Sequence, residues 1–184
     1  MIRDLDAARR AEHRGVPMEF VYFWGPESRG GPGAECLSQW FPSPFTVDGT
    51  TYATAEHYMM AGKARLFGDE RAEQRAVAAR TPFEAKNIGR QVRGFDSDVW
   101  DDRRVDIVVA GNVGKFTAHP EMRDFLLGTG EKVLVEASPV DRVWGIGLGS
   151  DDGRAATPSP WRGLTLLGFA LMTVRDLLRS RQGA

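Results

Sequence analysis

Only two short runs in this chain read as buried strands, and that scarcity constrains the fold more than any other feature. Phe20-Val21-Tyr22-Phe23-Trp24 and Val133-Leu134-Val135 are short, apolar and rich in aromatic or β-branched residues. A third strand signal is local. Phe45-Thr46-Val47 and Thr50-Thr51-Tyr52 flank Asp48-Gly49, a pair that tolerates positive φ at both turn positions and so closes a hairpin. So few strands cannot supply a large sheet, and helices must build the core. The expectation is an α+β fold, predominantly helical, with a few short β-strands.

Helix boundaries are marked by caps. Thr54 is placed to cap a helix from Ala55 to about Leu66, with Glu56 in its dipole-favoured first turn and Gly68 after its end. Asp69 starts a second helix ending near Arg80. Thr81-Pro82-Phe83-Glu84 is a capping box with Pro at the first helical position, and its short helix closes near Gly94. Ser97 is placed to cap a longer helix that carries Trp100, Arg104, Ile107, Gly111 and Lys115 on one face. Pro120 opens another helix, stopped by Gly128-Thr129-Gly130. Leu164, Leu167, Leu171, Val174 and Leu178 give the last helix an apolar stripe. Residues 25–35 and 145–160 are rich in Gly and Pro and read as loops; the first is a candidate lid. Residues 1–17 are polar and read as a flexible N-terminal arm, leaving residues 18–184 as a single domain without repeat or linker.

Composition excludes several classes. A net charge of −1 supplies no general electrostatic grip on nucleic acid. The one cysteine, Cys36, allows neither an internal disulfide nor a Cys-rich zinc site. His13, His57 and His119 lie too far apart for metal-ligand spacing. No metal and no cofactor is expected. No apolar run approaches the roughly 18 residues of a membrane helix, and the first residues lack a signal-peptide pattern, so the expected location is cytoplasmic.

Glu56 and Lys63 are seven residues apart, so they share one helix face, about 10 Å apart along the axis. Met59 and Met60 lie between them. Two charges closing an apolar face are unexpected for core, although spacing alone favours a solvated face whose charges snorkel to water. Lys115 shares a face with Trp100, which reads equally as a solvated lysine beside a core Trp. Asp141, Trp144, Gly145 and Gly147 follow a buried strand, where loops carry binding groups and glycine admits a ligand close to the backbone. A simple turn plugged by Trp144 is the competing reading. His57 points away from Glu56 and reads as packed, and His119 as a cap for the Pro120 helix.

Taken in order, several segments resemble one family. They are Leu37-Ser38-Gln39-Trp40-Phe41, Tyr52 through Lys63, Gly111-Asn112-Val113-Gly114-Lys115-Phe116 and Leu126-Leu127-Gly128-Thr129-Gly130, followed by Leu134-Val135-Glu136-Ala137-Ser138, Asp141-Arg142-Val143-Trp144-Gly145 and Trp161-Arg162-Gly163 with Leu167-Gly168. Their order and spacing are those of the YbiA-like, or NADAR, family, over roughly residues 20–180. The resemblance implies an α+β N-glycosidase fold. It implies cleavage of the base–ribose bond, either in early riboflavin-pathway intermediates or in ADP-ribosylated guanine of nucleic acid. It places functional residues on Glu56, Lys63, Trp100, Asp141, Trp144 and Gly145. One position departs: where the family has Asn before the Leu-Gly pair, Thr165 stands, without an amide's paired donor and acceptor.

Breaking an N-glycosidic bond builds positive charge on ribose C1. A carboxylate there stabilises the charge or activates water, and Glu56 and Asp141 are the candidates. A lysine route through a Schiff base is the alternative, with Lys63 slightly ahead of Lys115. Tyr58, Trp100 and Trp144 are candidates to stack on the base, and Arg65, Arg103 or Arg104 to hold phosphate. The expected partner is therefore a small phosphorylated N-riboside or ADP-ribose, with nucleic acid entering only as an ADP-ribosylated substrate, and no membrane. A nucleotide-binding module without catalysis is the reading that Thr165 keeps open.

Overall fold

The computed structural model describes residues 2–25 and 33–182. The candidate lid at 25–35 thus falls for the most part outside the described residues. The chain divides into two compact units, one of residues 39–123 and one of residues 1–38 with 124–184.

The 39–123 unit opens with the expected hairpin. Strands β2 (Phe45–Val47) and β3 (Thr50–Tyr52) pair antiparallel, Phe45 opposite Tyr52. Asp48 and Gly49 turn with φ of 48° and 77°, the double positive φ of a primed turn. Helix α2 spans Ala55–Leu66, and the Thr54 side chain accepts from the His57 N–H as its cap. Helix α3 (Glu70–Ala78) is capped by Asp69, and α4 (Pro82–Gly89) by Thr81. The capping box is displaced by one residue, because Glu84 Oε2 accepts from the Arg80 N–H at 2.8 Å rather than from that of Thr81. Helix α4 stops at Gly89, not near Gly94; Gly94, at φ 70°, instead bends the connection to the next helix. Helix α5 (Ser97–Ala118) takes Asp96 as cap in place of Ser97, since Asp96 Oδ1 reaches the amides of both Asp98 and Val99. Helix α2 packs on α3, α4 and α5.

In the other unit, β1 (Phe20–Phe23) and β4 (Val133–Glu136) pair in parallel, Phe20 beside Val133. Trp24 lies past the end of β1 and is 60% exposed, so the strand is one residue shorter than its apolar run. Helix α6 (Pro120–Gly128), whose first turn is the end of the 39–123 segment, precedes β4, and α7 (Leu166–Gln182) packs on β4. Leu167, Leu171, Val174 and Leu178 are buried as the stripe requires, whereas Leu164 precedes the helix and is exposed. Residues 1–17 are not a loose arm. They contain α1 (Leu5–His13), capped by Asp4, with Ala8 and Ala11 buried. Arg9 Nη2 donates to the Trp161 carbonyl at 2.9 Å, and Glu12 accepts from the backbone and hydroxyl of Ser159. The polar composition concealed the helix because its buried face is made of alanine, which adds little hydrophobicity. No helix among the described residues is long and apolar enough to cross a membrane.

Candidate active site

Small residues on α2 and α5 set how closely the two helices approach. A Cβ on Gly62 would lie 2.7 Å from Ile107 Cγ2, and one on Gly111 would collide with the Tyr58 ring. Both positions therefore need glycine for α2 and α5 to meet. This contact puts Lys63 Nζ 4.1 Å from the Phe95 ring centre and 5.3 Å from that of Trp100. Lys63 is half-buried, and among the described residues it forms no hydrogen bond or ion pair. Burial alone lowers its pKa below the usual lysine value. Phe95 escaped sequence reasoning. It stands in the short connection before α5, is 48% exposed, and packs edge-on against Phe67. Nothing in a lone aromatic between a glycine and a cap signals a site.

Glu56 is buried at 5% exposure in the first turn of α2, its N–H donating to the Gln39 carbonyl at 3.0 Å. Gln39 and Asn112 are the other residues that sequence reasoning missed. Their buried side-chain amides pair, Gln39 Nε2 donating to Asn112 Oδ1 at 3.1 Å, while Asn112 Nδ2 donates to the Val108 carbonyl. Gln39 thereby ties the start of α2 to α5. Lys115 is fully buried, with Phe41 and Phe116 rings near its ammonium. Tyr58 packs against Tyr52, Phe45 and Gly111, so its ring is engaged by protein. Arg104 pairs with Asp101 at 2.6 Å, and Arg65 is held by Glu73 and the Tyr52 hydroxyl. His57 is a packed histidine. Nε2 must donate to the Ala79 carbonyl at 3.1 Å, so in the neutral ring Nδ1 accepts from the Thr54 hydroxyl at 2.8 Å. Burial pushes its pKa down, which favours that neutral form. His119 ends α5 and also starts α6, its carbonyl accepting from the Arg123 N–H at 3.0 Å, while Nε2 donates to the Pro44 carbonyl at 2.9 Å.

Asp141, Trp144, Gly145 and Thr165 lie together in the other unit. Asp141 Oδ1 accepts from the amides of Val143 and Trp144, both at 2.8 Å, so one carboxylate oxygen builds the turn. Trp144 is half-buried rather than a core plug. A Cβ on Gly145 would lie 2.8 Å from the Glu136 carbonyl, and one on Gly163 would collide with the Gly145 carbonyl. Thr165 is fully buried at φ 58°, with its N–H donating to the Gly145 carbonyl and its hydroxyl unpartnered. Among the described residues, no three His, Cys, Asp or Glu side chains gather as a metal ion would require.

The architecture is that of a helix-dominated α+β domain, with its motif residues concentrated on α2, α5 and the loop after β4. The chain belongs to the NADAR domain family, which matches residues 22–179. It is 39% identical over 163 residues to an N-glycosidase of Acanthamoeba polyphaga mimivirus, covering 86% of this chain and 95% of that one. It is 30% identical over 159 residues to a riboflavin biosynthesis protein of Vibrio vulnificus, covering 86% of this chain and 38% of the relative. The solution structure of YbiA from E. coli matches with a TM-score of 0.69 at 26% identity, over 89% of this chain and 87% of the other.

Proposed function

We propose that this protein is an N-glycosidase that hydrolyses the base–ribose bond of a phosphorylated ribosylamine of the kind formed early in riboflavin biosynthesis. The observation that carries the reading is the setting of Lys63: an amine with lowered pKa, faced by aromatic rings and by no carboxylate among the described residues. Such an amine is neutral, and so nucleophilic, in a larger fraction of molecules near pH 7 than an ordinary lysine. The names of its relatives, N-glycosidase and riboflavin biosynthesis protein, support the same bond and substrate class.

In this reading the Lys63 Nζ lone pair forms a bond to ribose C1. The C1–N bond to the base breaks, and its electron pair leaves with the base, which takes up a proton. The adduct opens to a C1=Nζ iminium as the proton given up by Nζ passes to the ring oxygen. Water then adds at C1 and frees the lysine. Glu56, buried at the positive end of α2, stabilises charge at C1 or activates that water. Lys115, fully buried, fits the attacking role less well than Lys63.

The test is release of free base from riboflavin-pathway ribosylamine phosphates, measured beside release from ADP-ribosylated oligonucleotides. Base release from the small substrate, with borohydride fixing ribose on Lys63 during turnover, is the expected result. The Glu56→Gln variant is expected to fold and to lose turnover by on the order of 10²-fold. Release only from the oligonucleotide would move the substrate to ADP-ribosylated guanine. Binding without release from either would make the protein a binding module.

A further inference from the structure

The aromatic groups around Lys63 are more than a wall. Phe95 presents its ring at 4.1 Å from Nζ, the Trp100 ring lies 5.3 Å away, and Phe67 buttresses Phe95 at 5.4 Å between ring centres. Trp100 is 8% exposed and belongs to the core, whereas Phe95 is 48% exposed and lies outside regular structure. A half-exposed phenylalanine contributes little to the core. What distinguishes Phe95 is its proximity to an ammonium that has no anion beside it among the described residues.

We infer that Phe95 is a positioning residue for the glycosidase reaction, its ring holding Lys63 and stabilising the cationic nitrogen formed on it. The inference rests on the reading of Lys63 as the nucleophile. The π-face of an aromatic ring attracts a cation without hydrogen-bonding it, so Nζ keeps its lone pair available once deprotonated. A carboxylate in the same place would hold the lysine protonated and suppress attack. The ring favours positive charge on nitrogen, and in the Schiff-base route that charge returns when C1=Nζ forms. Lowered basicity in the free enzyme and stabilisation of the iminium thus come from the same surroundings. Burial sets the first and the ring faces serve the second. Burial is the cause that lowers the Lys63 pKa, and among the described residues no ion pair to Lys63 opposes it.

The experiment compares Phe95→Leu with Phe95→Tyr and Phe95→Trp. Leucine keeps an apolar side chain but removes the π-face, while Tyr and Trp retain one. The expected result is a fall in kcat of roughly tenfold for the leucine variant, with KM moved by no more than about twofold, and near-native kcat for both aromatic variants. Equal losses in all three would assign Phe95 to packing and overturn the inference, as would an unaffected leucine variant. A second measurement does not depend on turnover. Lys63 is reductively methylated with ¹³C-formaldehyde, and its amine resonance is titrated in each protein. The leucine variant is expected to titrate below the wild type, because it loses a group that favours the charged form, and the aromatic variants to match the wild type. If no protein releases base but the titrations separate in this way, the glycosidase reading fails while the ring–amine contact stands. If turnover is normal and the titrations coincide, the inference fails alone.

Discussion

Thr165 shows how much a single residue conveys and how much it conceals. The sequence marks it as a departure, Thr standing where the resembled family has Asn, and suggests an altered substrate contact. The structure adds a backbone reason. Thr165 adopts φ 58°, a region that Asn tolerates and a β-branched residue enters at a cost of about 1–3 kcal/mol. Its hydroxyl is buried without a partner. The sign of a loop dihedral depends on the carbonyls and glycines packed around it, here Gly145 and Gly163, so it was not legible in composition or spacing. Thr165→Asn is therefore expected to stabilise the protein by about 1 kcal/mol, a rise in Tm of about 2–4 °C for a chain of this size. Calorimetry decides it. An unchanged or lower Tm would mean that the amide finds no room and that strain at this residue is small. Gln39 and Asn112 make the complementary point. Each looks like an ordinary polar residue, and only their pairing across 73 positions reveals that they fix α2.

At the scale of elements, legibility followed locality. The ends of α2 were correct to the residue because a cap and its target are three positions apart and interact before any tertiary structure forms. The start of α5 and the end of α4 missed by a few residues where two capping candidates, or two glycines, competed. The junction from α2 to α3 illustrates what sequence does not carry. Asp69 caps α3 through the Ala72 amide and also receives the guanidinium and the N–H of Arg93. The side-chain bond from Arg93, then its backbone N–H, hold the Asp69 carboxyl well below the usual carboxylate range. The folded pKa lies below the unfolded value of about 3.9, so the stabilisation is fully present above that value. It is lost as pH falls toward the folded pKa. Melting curves between pH 7 and pH 2 are expected to show a steeper acid loss for the wild type than for Asp69→Asn, the two converging at the acid end. Parallel curves would remove Asp69 from the acid transition. The Lys63 shift has its own pH signature. Borohydride trapping should rise with pH and level off below the range of an ordinary lysine, near 10.4. A plateau at that ordinary value would count against a low-pKa nucleophile.

At the scale of the whole molecule, fold class was accessible from the shortage of strands, and the family from motifs spread over most of the chain. The division into two units was not, because no shift of composition marks residue 39 or residue 124. The helical N-terminus was missed for a related reason: the partners of Arg9 and Glu12 lie at Trp161 and Ser159, far along the chain. The parallel pairing of β1 with β4 spans the entire 39–123 unit, and this has a consequence for the order of assembly. The enclosed unit is continuous in sequence and can form from contacts of modest separation, whereas the strand pair must close a very long loop. Closure entropy grows only slowly with length, but the search it implies slows folding. In pulsed hydrogen-exchange refolding, amides of α2 and α5 should gain protection before those of β1 and β4; simultaneous protection would contradict this order. During synthesis the asymmetry is sharper. Strand β1 waits without its neighbour while the whole 39–123 unit is made, as the numbering of Phe20–Phe23 and Val133–Glu136 requires. Its unpaired edge is then the surface most open to capture by another chain or a chaperone.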